Sequence, residues 1–135
     1  MNSMKEYIDN FSRTAGKIWK TLDKYGPLNQ EELVRKTKLN KNDFFAGVGW
    51  LARENKICKI STKYQLGETN LTNEIGNNAG KVWNTLNAKQ DIDVSTITKI
   101  SQITTRDAYS ALGWLARENK IQASKGSEQK FKLIY

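Results

Sequence analysis

Two short stretches of this chain carry side chains able to make paired hydrogen bonds: Lys41-Asn42 and, 64 residues later, Thr105-Arg106. A carboxamide such as Asn42 can bond two atoms on an adenine edge, and a guanidinium such as Arg106 can do the same on guanine. Lys41 and Thr105 suit phosphate oxygens. Bond-breaking chemistry is poorly supplied by comparison. The chain has no histidine, so the commonest general base and metal ligand is missing. Its single cysteine, Cys58, has no histidine to activate it and no second thiolate for a metal site. A small core residue at the start of a strand is its expected role. No glycine-rich phosphate loop occurs, and the acids are scattered among helix caps and surfaces. An enzyme is not expected, nor is a metal or any other cofactor.

The charge balance points to the partner. The chain has 135 residues, 22 Lys and Arg against 14 Asp and Glu, a net charge of +8 and a pI near 9.6. Such a surface favours polyanions. The 38% apolar content and four tryptophans suffice for packed cores. No apolar run is long enough for a transmembrane helix. The polar start, "MNSMKEYIDNF", does not read as a signal peptide. One cysteine excludes an internal disulfide framework, and a cytoplasmic protein without membrane contact is expected.

The elements that must position these residues come in two copies. Residues 15–57 and 79–121 align without a gap at an offset of 64, with 16 identities in 43 positions. "AGKIWKTL" matches "AGKVWNTL", and each copy closes on "GWLARENKI". Both copies are basic, with 13 basic and 8 acidic residues in 1–70 and 9 and 6 in 71–135. The expected division is a first domain over 1–66, a linker over 67–73 ("GETNLTN") and a second domain over 74–135.

Each copy parses alike. A first helix begins near Ser3, where Ser3 and Glu6 can form a capping box. Its apolar stripe is Ile8, Phe11, Ala15, Ile18 and Leu22, matched by Leu71, Ile75, Ala79, Val82 and Leu86. Gly26-Pro27 ends it in copy one. A shorter helix follows, capped by Asn29 or Asp93, with Leu33 or Ile97 inward. After a turn plugged by Leu39 or Ile103, a third helix starts on Asn40 or Thr104, with Asp43 or Asp107 in its first turn. It buries Phe44, Gly47, Val48 and Leu51, or Ala108, Ala111, Leu112 and Leu115. Asn55 or Asn119 caps its end. Two hairpins close the copies, over 57–60 with 64–66 and over 121–124 with 130–135, the second turning through "KGSEQ".

Three helices and a hairpin, the second and third helices joined by a short turn, make a winged helix-turn-helix. The fold class is therefore mainly α with small β-hairpins (α+β), as two tandem winged helix-turn-helix domains. The residues "AGKxW…GWLARENKI" also resemble a small bacterial and archaeal winged-helix family of unknown function, whose members are often a single unit of this size. The resemblance covers nearly the whole chain, twice, and implies the same fold without adding an activity.

In DNA-binding winged helices the third helix enters the major groove and the wing touches backbone or minor groove. The candidate reading positions are Lys41, Asn42 and Phe45, and Thr105, Arg106, Tyr109 and Ser110. Arg53 and Arg117 stand at the far end, and Lys59, Lys63, Lys125 and Lys130 lie on the wings. The expected function is binding of nucleic acid, foremost double-stranded DNA, in a transcription-related role.

A second reading stays open beside it. Phe45, Ala46, Gly49 and Trp50 make the outer side of the third helix apolar, and Gly113 and Trp114 repeat the feature. Apolar faces of this kind mark protein contacts. The two copies can pair there as a pseudo-two-fold, or a second chain can dock, with Val94 and Ile100 adding to the face. A mid-helix glycine costs about 1 kcal/mol against alanine. Keeping Gly49 and Gly113 implies that another backbone or a large ring comes close. Trp50 and Trp114 pack either within their own unit, against Trp19 or Trp83, or across an interface.

Overall fold

Helix α1 (Ser3–Tyr25) buries Phe11, Ala15, Ile18 and Leu22 along one stripe. Gly26 ends it in the left-handed conformation at φ 78°, donating its N–H to the Leu22 carbonyl. A residue without Cβ adopts that geometry freely. The structure is a computed structural model that describes residues 3–123 and 129–134, with side chains from residue 9 onward. The expected Ser3–Glu6 capping box, the Ile8 contact, Lys125, Tyr135 and most of the second wing turn fall outside the described residues.

Strand β1 (Leu28–Asn29) leads directly into α2 (Gln30–Thr37). Asn29 makes the full capping box: its side chain accepts from the Glu32 N–H at 2.8 Å, and its own N–H donates to Glu32 Oε1 at 3.0 Å. Helix α3 (Lys41–Arg53) starts on Asn40, whose side chain accepts from the Asp43 N–H at 2.8 Å. Strands β2 (Ile57–Ile60) and β3 (Lys63–Leu66) form the wing. The second copy runs α4 (Thr72–Ala88), β4 (Ile92–Asp93), α5 (Val94–Ser101), α6 (Thr105–Arg117), β5 (Ile121–Ala123) and β6 (Lys130–Leu133). Asp93 caps α5 and Thr104 caps α6 through their side-chain oxygens.

Each copy holds a three-stranded antiparallel sheet, ordered β1-β3-β2 and β4-β6-β5. The short strands β1 and β4 go beyond the two-stranded wings that the sequence suggests. Leu28 pairs with Tyr64, and Ile92 with Phe131, so each wing is pinned to the segment just before the second helix.

Both third helices end alike. Asn55 and Asn119 sit at φ 60°, Lys56 N–H donates to the Leu51 carbonyl and Asn55 N–H to that of Ala52, with the same pair of bonds in copy two. This is a Schellman motif, which satisfies the last carbonyls and turns the chain into the wing. The connector is bound down as well. Asn55 accepts from the Thr69 N–H, and Asn70 bonds both backbone groups of Lys59. Helix α4 begins at Thr72, inside the stretch expected as linker.

The cores do not follow the chain order. Phe11 of α1 packs with Val82, Leu86, Leu112 and Phe131, in the core built by the second copy. Leu71 and Ile75, around the start of α4, pack with Phe44, Val48 and Tyr64 in the core of the first. Phe11 and Ile75 are equivalent at the offset of 64. Each copy thus lends the N-terminal part of its first helix to the other.

Candidate nucleic-acid interface

The first turns of α3 and α6 are held by their caps, and Lys41, Asn42, Thr105 and Arg106 are exposed there. Arg106 Nε lies 3.6 Å from Asp107 Oδ1, and its guanidinium stands 6.0 Å from the Phe45 ring centroid, across the two copies. Past the first turn the helices close. Phe45 and Ser110, expected to read bases, are each only 7% exposed. Neither can reach a base edge in this arrangement. Tyr109 is half-buried, packed against both cores.

The reason is the pairing of α3 with α6, the most extensive contact between elements. Helix α3 is apolar nearly all round, burying eight of its thirteen residues from Phe44 to Ala52. A helix of that composition belongs in a core. A Cβ built on Gly49 would collide with the Ser110 carbonyl oxygen, and one on Gly113 with that of Ala46. Ala46 and Ser110 are equivalent positions, as are Gly49 and Gly113. The contact is therefore reciprocal, residue by residue, as across a two-fold axis.

The far ends of the helices repeat that symmetry. Arg53 Nε lies 3.0 Å from Glu118 Oε2, and Arg117 Nε lies 2.9 Å from Glu54 Oε2. The Arg53 guanidinium stands 5.7 Å from the Trp114 ring centroid, and that of Arg117 stands 5.9 Å from Trp50. Both arginines, expected on DNA, are turned to the other copy. Trp50 and Trp114 pack against both cores, so they bridge the copies as well as lining their own units.

The other expected interface residues do not join this contact. Val94 packs against the core of its own copy, because α5 lies mainly on α4, α6 and β4. Ile100 is 46% exposed on the same helix. On the wings, Lys63 and Lys130 are exposed, while Lys59 is half-buried with Nζ 5.3 Å from the Tyr64 ring centroid.

Burial pushes the Tyr64 hydroxyl above its ordinary range, against an opposing pull from Arg106. Burial likewise raises Tyr109, and the Asp43 carboxylate adds to it. Hydrogen bonds from Thr96, backbone first, hold Asp93 below the usual carboxylate range. Among the described residues no group of three or more His, Cys, Asp or Glu could hold a metal, and no helix is long and apolar enough to cross a membrane.

Glu54 and Glu118 escaped the reading of the sequence, although their identity in the two copies was a signal. So did Phe11, Leu71 and Ile75 as links between copies. A model of the winged helix-turn-helix domain (DUF2582) matches residues 4–67 and again 70–133. No curated protein and no solved structure matches.

Proposed function

We propose, for a chain that belongs to the winged helix-turn-helix family DUF2582 and carries that domain twice, binding of double-stranded DNA through its phosphates, without a helix seated in the major groove. The observation behind this reading is the surface left over once α3 and α6 have paired. Lys41, Asn42, Thr105 and Arg106 at the helix starts, and Lys63 and Lys130 on the wings, remain exposed on a chain of net charge +8. Contacts to phosphate position a protein on a duplex but carry little sequence information. Any role in transcription then comes from occupying or shaping DNA rather than from reading a particular operator. A cytoplasmic location accords with that partner.

Titration of a labelled random-sequence duplex tests the proposal. If Lys41, Arg106, Lys63 and Lys130 each meet one phosphate, log affinity falls against log salt with a slope of about −3.6. Lys41→Ala reduces that slope by about 0.9. Arg106→Ala weakens binding equally on all sequences. Absence of binding at about 50 mM salt overturns the proposal.

The alternative, a protein-interaction module using the third-helix face, is favoured by the apolar face of α3. That face is filled by α6 of the same chain. The assembly it supports is internal, and no second chain is needed to cover it.

A further inference from the structure

Two open grooves repeat in the two copies. The first, of about 400 Å³, is lined by Ser12, Ala15, Gly16, Trp19, Lys20, Trp50, Leu51, Glu54 and Lys56. The second, of about 360 Å³, is lined by Gly76, Ala79, Gly80, Trp83, Asn84, Trp114, Leu115, Glu118 and Lys120. Every residue of one is the counterpart of a residue of the other at the offset of 64. Both fall within the roughly 300–1,000 Å³ of ligand clefts. Seven of the nine pairs are identical, drawn from "AGKxW" and "GWLARENKI".

Gly16 and Gly80 set these grooves apart from internal packing. A Cβ on either would meet nothing within 4 Å, and neither has a left-handed backbone. Gly49 is required by the helix that presses on it; Gly16 and Gly80, in mid-helix, have no such neighbour. Something from outside the chain that lies flat on α1 or α4 would require them.

The charge indicates what that is. At the first groove Lys20, Lys56 and Arg117 surround Glu54, which is already ion-paired to both Lys56 and Arg117. Arg13, Lys17, Lys20 and Lys24 continue along α1 at spacings of four, three and four, all exposed. Of these only Lys17 has a basic counterpart on α4, Lys81. A planar ring over Gly16 beside Trp19 and Trp50, with phosphates along the lysine row, satisfies both features. Aromatic platforms beside a cationic track bind unpaired bases.

We infer that the Trp19–Trp50 groove, and more weakly its Trp83–Trp114 counterpart, bind single-stranded nucleic acid by stacking its bases. The inference shares with the proposed function only a polyanionic partner, and it uses a different face.

The test is quenching of tryptophan fluorescence in the full chain by an oligothymidylate of about 12 nucleotides at about 50 mM salt. Wild type is expected to be quenched, and Trp19→Ala to weaken binding at least tenfold. Gly16→Ala should weaken it severalfold while its unfolding midpoint stays equal or rises, which a merely structural glycine would not do. Thymidine monophosphate should bind far more weakly than the oligonucleotide; equal binding would make the groove a nucleotide pocket and overturn a strand site. No quenching by the oligonucleotide, or quenching untouched by both variants, also overturns the inference. Duplex binding by the wild type without quenching by the oligonucleotide leaves the proposed function standing alone; strand binding without duplex binding leaves the groove standing alone.

Discussion

Two pairs of glycines show how much one residue type can mean. Gly49 and Gly113 lie where the carbonyls of Ser110 and Ala46 leave no room for a methyl group. Gly49→Ala must push α3 from α6, and overpacking of this kind costs about 1–3 kcal/mol. Gly16→Ala meets open space and should instead stabilise by about 1 kcal/mol through helix propensity. Urea titration of the two variants should therefore move the midpoint in opposite directions. That a price in propensity is kept at both places is legible in the sequence. What approaches each glycine is not, because a one-dimensional pattern says which face is covered and never by what. The same limit explains Phe45 and Ser110. Their outward position on the helix is real, but outward from one unit is inward to the other. Burial also raises the Tyr64 and Tyr109 hydroxyls. A raised pKa contributes stability that is whole below the ordinary value of 10.0 and is lost as pH rises through the folded one. Thermal melts above pH 10 should show that loss, and Tyr64→Phe should diminish it.

The helices and hairpins were readable because caps and stripes are local signals. Asn29, Asp93, Asn40 and Thr104 all accept the hydrogen bonds their types imply. Strands β1 and β4 were not readable. Two residues cannot display alternation, and one of each pair serves as the next helix's cap. That double duty makes Asn29 worth more than its helix alone. Asn29→Ala removes a capping box, worth about 1 kcal/mol, and loosens the strand that carries it; a chemical melt should show at least that loss. Asp93 adds a dependence on acid. Its depressed pKa contributes stability that is present above the ordinary value of 3.8 and is lost as pH falls through the folded one. Asp93→Asn should flatten the stability profile on that acid side.

At the scale of the molecule, the duplication is more than two beads on a string. Reciprocal glycine contacts, crossed ion pairs and exchanged first-helix segments make the chain equivalent to a symmetric dimer whose halves are joined by a short, hydrogen-bonded connector. The wild-type chain should then be monomeric at all accessible concentrations, because its adhesive face is used internally. Trp50→Glu should lower its stability without altering its mass in sedimentation. Separating the halves reverses the expectation. A chain of residues 70–135 would expose the apolar face of α6 and lose the Phe11 side chain from its core. A second α6 offers that face nearly what α3 offers it. Gly113 would meet Ser110 of the other copy, as Gly49 does in the intact chain, and Arg117 would meet Glu118, as Arg53 does. Ile75 would supply to the other copy an apolar side chain at the position where Phe11 serves in the intact chain. Sedimentation equilibrium should find this fragment as a homodimer whose unfolding midpoint rises with concentration. A fragment that is folded, stable and monomeric would show that the pairing of third helices is dispensable to the domain.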